Sequence, residues 1–203
     1  IGFGLIGSSI ARAVKKSAPD IVITAVDNSH EYLDYAVDNN IADCAYDYPD
    51  SYLAEADLVI LCTPVGQMAK VAVSIAPFLT KDVVVTDVGS VKQSVIDSVC
   101  AALPFPEMFV PAHPISGAEK SGPSAGFETL FNDRWAIITP TETTDLKAIE
   151  SVTALWEYCG ANIDFMEPKH HDLVLAITSH LPHLIAYSIV GTASNLAEDL
   201  QRE

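Results

Sequence analysis

A chain of 203 residues, 49% of them hydrophobic, has apolar material for one large domain, or for one domain and part of a second. Its 11 basic residues against 27 acidic ones leave a formal net charge of -16, which argues against nucleic acid and anionic membranes as partners. An anionic substrate would need positive charge gathered locally from the few basic residues and histidines.

The predicted elements alternate along the chain. Ile21–Val26, Leu58–Cys62, Val83–Thr86, Met108–Val110 and Trp135–Thr139 are short, β-branched-rich runs that read as strands. Being almost wholly apolar, they suit a parallel sheet covered on both faces. Leu5–Val14, Glu31–Asp38, Gln67–Ala76, Val91–Ala102 and Leu146–Tyr158 read as the helices between them. The expected fold class is α/β: a Rossmann-type, doubly wound, mostly parallel sheet with right-handed crossovers. From residue 166 onward nothing reads as a strand. The chain therefore divides into a dinucleotide-binding domain over 1–165 and the start of an all-helical domain over 166–203, its remainder absent here or supplied by a partner chain. Pro182 is expected to kink or split the helical tail. No run of about 18 consecutive apolar residues marks a membrane span, and no signal peptide is read at the amino end. Cys44, Cys62, Cys100 and Cys159 are widely spaced without a CxxC pair, which fits a reduced, cytoplasmic setting.

The first motif is the GxGxxG formed by Gly2, Phe3, Gly4, Leu5, Ile6 and Gly7. It opens an amphipathic helix, and an acidic residue, Asp27, stands 20 positions after Gly7 at the end of the next strand. The glycines serve a tight turn, close approach to a pyrophosphate and helix–strand packing, in that order. The helix start then offers amide donors. A ligand-free glycine turn is the bland alternative. Asp27 repels a 2′-phosphate and no arginine follows it, so NAD is expected over NADP.

Ligands in such sheets sit beyond the carboxyl ends of strands. Thr63, Pro64 and Val65 follow one strand and either line the dinucleotide channel or merely terminate the strand. Asp87, Gly89 and Ser90 follow the next. Ser90 reads equally as a catalytic hydroxyl and as the N-cap of a helix starting at Val91. The third strand end carries PAHPISGAEKSG, residues 111–122, in which two prolines stiffen a glycine-rich loop around His113. Gly117 and Gly122 read as room for a flat ring. A histidine there is either satisfied by loop backbone or aimed at a substrate. Further on, His180 and His183 are three apart, with His170, His171 and Asp172 upstream. The spacing matches common zinc patterns poorly, so no metal is expected. A core or capping role for one of the two histidines competes with a substrate-facing role for both.

GFGLIGSS, Asp27, ILCTPV, TDVGSVK, HPISGAEKSGP and SHLPH occur in this order. Together they resemble the prephenate (arogenate, cyclohexadienyl) dehydrogenases of tyrosine biosynthesis, from Gly2 to about Tyr187. The resemblance implies NAD-dependent oxidative decarboxylation of prephenate to 4-hydroxyphenylpyruvate, or of arogenate to tyrosine. It implies that His113 accepts the proton of the ring hydroxyl and that Ser90 hydrogen-bonds that hydroxyl or the histidine. It implies further that His180 and His183 contact substrate, that Ala118 and Glu119 lie near the ligand's side chain, and that the helical domain forms a homodimer. The family's carboxylate-binding arginine lies further along the helical domain than Arg202. Two other functions compete: a dehydrogenase of β-hydroxyacids or imines, for which Lys169 is the candidate base, and a non-catalytic NAD-binding module.

Overall fold

The computed structural model describes the backbone of residues 1–200 and the side chains of residues 1–193. Arg202 lies outside the described residues. Eight strands and seven helices are named here in chain order: α1 (Leu5–Ser17), β1 (Thr24–Val26), α2 (His30–Asp38), β2 (Cys44–Tyr46), β3 (Leu58–Leu61), α3 (Val65–Ile75), β4 (Val84–Asp87), α4 (Gln93–Cys100), β5 (Phe109–Val110), β6 (Ala112–Pro114), β7 (Trp135–Ile138), α5 (Leu146–Tyr158), β8 (Asn162–Phe165), α6 (Pro168–Leu175) and α7 (Leu181–Leu200).

β1 pairs with β2, and β3, β4 and β5 pair in that order, all parallel. The first residues join the two sets. Gly2 N donates to Val26 O at 2.8 Å, and Cys62 N donates to Ile1 O at 2.7 Å. Residues 1–3 therefore lie between β1 and β3, and the strand order reverses around them. That reversal opens the crevice where dinucleotides bind in doubly wound sheets. β6 runs straight on from β5 through Pro111, pairs antiparallel with β7, and β7 pairs parallel with β8. The result is the expected α/β, mostly parallel architecture followed by a helical region.

The helices close because their ends carry the right chemistry. Ser29 caps α2 by accepting from Tyr32 N, and Asp145 caps α5 by accepting from Lys147 N and Ala148 N. Glu167 caps α6, with Pro168 in its first turn. The main core lies between α1, α5 and the sheet, with Phe131 and Trp156 edge to face at 5.4 Å between ring centroids. A second core packs α3 and α4 on the other face around Leu61, Met68, Ile75 and Phe109.

Several expectations change. The strand expected at Ile21–Val26 begins only at Thr24, because the Asp43 carboxylate takes the Ile23 amide at 2.8 Å and Ile21 and Val22 stay exposed. β2 and β8 are strands that no apolar run announced: β2 carries no buried side chain, and β8 alternates polar and apolar residues. Residues 112–114, expected as loop, form β6. Its proline, Pro114, is tolerated because β6 is the edge of its three-stranded sheet. Pro182 does not split the tail. A π-helical turn, Ala176–His180, precedes it, and the wider spacing lets α6 run on into α7 around the missing proline N–H.

The tail is otherwise bare. Residues 168–193 are long and apolar enough to cross a membrane by length and composition, and 6% of the 18-residue apolar stretch within them is buried. Leu181, Leu184, Ile185, Ile189 and Val190 are all exposed.

Candidate active site

The glycine turn is set by sterics. Gly2 has φ +86°, and a Cβ there would stand 2.8 Å from the Cys62 carbonyl carbon and 2.9 Å from Thr63 N. A Cβ on Gly7 would run into the Gly2 carbonyl oxygen, so α1 packs directly on the turn. At Gly4 nothing lies within 4 Å of a built Cβ, leaving an open approach to the backbone. α1 starts there with no side-chain cap and no acidic residue in its first turn. Its free amides and positive dipole end fit a phosphate group. Leu5 and Ile6 contribute backbone at this start, while their side chains pack against the core. Asp27 stands beside the turn, its two oxygens accepting from Phe3 N at 2.6 Å and Ser29 N at 2.9 Å.

The β3 end presents Thr63, Pro64 and Val65. The Thr63 hydroxyl is buried without a partner among the described residues, and Pro64 precedes an α3 start that also lacks a side-chain cap. Val65 lies 3.2 Å from where a Gly89 Cβ would be, so the β3 and β4 ends touch. Asp87 turns inward. Its carboxylate is fully buried and accepts from Gly89 N at 2.7 Å, Ala112 N at 3.2 Å and Lys92 Nζ at 2.5 Å. It shapes the loop from beneath instead of offering a face to a ligand. Lys92, also fully buried, donates to Ala112 O at 2.6 Å. Burial lowers the pKa of its ammonium, against the pull of Asp87. Ser90 is exposed and is not the helix cap, because α4 begins at Gln93. The cap comes from another element: Asp172 of α6 accepts from Lys92 N at 2.7 Å and Gln93 N at 2.9 Å.

His113 sits in β6, opposite Ile137. Its Nδ1 lies 2.9 Å from Nε2 of His171, with the rings edge to face at 5.2 Å between centroids. His171 is fully buried, and its Nδ1 lies 2.9 Å from Asp172 Oδ1. Burial pushes the His113 pKa down to about 3, helped by the positive charges of Lys92, His171 and His180 and opposed by Asp172. His171 is lowered by burial, against the hydrogen bond and charge of Asp172. At Asp172 burial works upward, but the Gln93 amide, the His171 ring and the Lys92 amide together carry the pKa below the usual carboxylate value.

The other expected residues are placed unevenly. His180 ends the π-helical turn, half-buried and close enough for its charge to depress His113. His183 lies on α7 and is exposed. Ala118 and Glu119 are exposed on the loop after β6, and the described residues give them no hydrogen bond to His113. Gly122 does not provide room for a ring: with φ +84° it is buried against the Tyr32 hydroxyl. Among the described residues no group of three or more His, Cys, Asp or Glu side chains could hold a metal ion. Lys169 is exposed and two residues from His171, hence on a different helix face. Sequence reasoning assigned no role to His171, Asp172 or Lys92. The adjacent HHD was visible, but nothing local shows that it meets a strand 58 residues earlier.

Comparison with known proteins gives this arrangement relatives. The family model for the nucleotide-binding domain of prephenate dehydrogenase matches residues 10–165, and that for its dimerization domain matches residues 167–203. A cyclohexadienyl dehydrogenase of Zymomonas mobilis is 47% identical over 194 residues, covering 96% of this chain and 66% of that protein. A prephenate dehydrogenase of Bacillus subtilis is 38% identical over 190 residues, covering 93% of this chain and 51% of that protein. The chain thus spans between half and two thirds of the length of these relatives. The crystal structure of prephenate dehydrogenase from A. aeolicus in complex with hydroxyphenyl propionate and NAD+ superposes with a TM-score of 0.87 at 34% identity, covering 94% of this chain and 66% of that one.

Proposed function

Because this chain belongs to the prephenate dehydrogenase family, we propose that the protein oxidises and decarboxylates prephenate or arogenate, using NAD, in tyrosine biosynthesis. The observation that carries the reading is His113 in β6, just beyond the carboxyl end of β5. It is kept neutral by burial, with Nδ1 engaged by His171 and Nε2 left without a protein partner among the described residues.

Oxidising a ring carbinol needs a base on the hydroxyl and an acceptor for the hydride on carbon. His113 accepts the hydroxyl proton at Nε2. Ser90, exposed at the β4 end, hydrogen-bonds the hydroxyl or the imidazole. The bound dinucleotide supplies the hydride acceptor. The ring carboxylate then leaves as CO2, and the aromaticity gained makes the step effectively irreversible. The glycine turn of Gly2, Gly4 and Gly7 holds the pyrophosphate, and Asp27 takes the ribose hydroxyls and disfavours a 2′-phosphate. His180 and His183 offer ring N–H donors to a dicarboxylate from the helical side, local polar partners in a protein of net charge -16.

The exposed apolar face of α7 packs against a second copy of the chain, since an uncovered face of this size is not stable in water. The four cysteines are free thiols, which fits a reducing cytoplasm. A lysine-based dehydrogenase of β-hydroxyacids or imines is disfavoured by Lys169, which faces away from the His171 side of α6.

Steady-state NADH formation by the full-length protein with prephenate and with arogenate tests the reading. We expect turnover with at least one of them and preference for NAD over NADP. No turnover with either would refute it.

A further inference from the structure

In the reading above His113, Ser90 and the glycine turn have tasks, whereas His171 and Asp172 have none. A fully buried imidazole needs partners on both nitrogens. Asp172, ionised, can only accept, so the His171 Nδ1 carries the proton of their 2.9 Å bond. The Nε2 of neutral His171 is then a bare acceptor. The 2.9 Å contact with His113 is therefore His113 Nδ1–H donating to His171 Nε2. That leaves the lone pair of His113 on Nε2, the nitrogen that has to take the substrate proton. Asp172 thus dictates the tautomer of a base that it does not touch.

The same carboxylate also caps α4 through Lys92 N and Gln93 N, directly after the Ser90 loop. One aspartate on α6 therefore fixes the base on β6 and the hydroxyl loop after β4 in a single frame. The charges facing the pair are uneven. Lys92 and His180 oppose a positive charge on His113, while Asp172 and Asp87 favour one on His171 and Lys92 opposes it.

We propose that Asp172 is a positioning residue and His171 a proton carrier, forming an Asp172–His171–His113 relay that spans the nucleotide-binding and helical regions. The proposal rests on His113 being the base. As Nε2 of His113 takes the hydroxyl proton, its Nδ1 proton passes to Nε2 of His171. Imidazolium forms at His171 against Asp172, and His113 is left neutral. One proton leaves the substrate, one crosses between the rings, and the hydride goes to the dinucleotide, so charge and electrons balance.

The test is the pH dependence of kcat in the full-length protein for four variants, with NAD affinity and thermal unfolding measured on each. His171→Leu removes both acceptor and carrier, and its kcat should fall on the order of tenfold or more with NAD Kd unchanged. His171→Gln keeps an acceptor for the His113 Nδ1–H and should fall less. Asp172→Asn removes the negative charge that favours protonation of the pair, so the acid limb of kcat should move to lower pH by about one unit or more. His113→Asn should lower turnover by about 10²–10⁴-fold. His171→Leu with wild-type kcat and acid limb would overturn the relay, as would Asp172→Asn that lowers the Tm and leaves the limb in place. If His113→Asn itself turned over normally, the base assignment would fall instead.

Discussion

The turn at Gly2–Gly7 closes through contacts with the two adjoining strand ends, whereas the junction of His113 with His171 joins residues 58 apart on different parts of the fold. The turn is held by steric exclusion at two positions, Gly2 and Gly7, beside an open one at Gly4. The junction is held by buried hydrogen bonds and by the balance of Lys92, Asp87 and Asp172 charges. Shape-based and charge-based construction fail differently. The first should respond to added atoms and ignore pH. The second should respond to lost charge and to acid.

The largest break in that contrast is Lys92→Met. It leaves the Asp87 carboxylate buried beside two amides without its cation, which should cost about 3–5 kcal/mol in denaturant unfolding. Adding Asp87→Asn should recover part of the loss. If the single variant still folds, removing the Lys92 charge should raise the His113 pKa and move the acid limb of turnover to higher pH.

On the other side, Gly7→Ala drives a methyl group into the Gly2 carbonyl and should weaken NAD binding by about 100-fold or more, with the pH profile of turnover unmoved. Isothermal titration at two pH values separates these effects.

Acid should distinguish the regions next. His113 has a folded-state pKa of about 3, below the 6.5 of a free imidazole. Its contribution to stability is therefore complete above pH 6.5 and is lost as the pH falls toward 3, at up to ~1.4 kcal/mol per pH unit. Unfolding midpoints of His113→Gln should decline less steeply over that window than those of the wild type. The smallest expected effect is Asp27→Asn, which keeps an acceptor for only one of the two neighbouring amides and removes the charge. The preference for NAD over NADP should narrow by about tenfold, read from the ratio of kcat/KM values.

The same contrast explains what could be read from the chain. GxGxxG, the apolar strands and the acid at Asp27 are local patterns, and the sheet and switch point follow from them. Asp87 was visible as a strand-end acid, but only packing turns it inward toward Lys92. Ser90 looked like a cap because a cap normally lies on its own chain segment, and here Asp172 supplies it from α6. Pro182 looked like a break because the preceding π-helical turn has no sequence signature. His113 could be singled out by its prolines and its place in the chain. Its partner could not, since a contact between β6 and α6 exists only once the whole sheet has formed.

The most direct measurement is His113→Asn in the full-length protein, followed for both steady-state turnover and NAD affinity. Turnover should fall by about 10²–10⁴-fold while the Kd for NAD stays at the wild-type value. Near-normal turnover, or loss of NAD binding in parallel with activity, would contradict the assignment of His113 as the base.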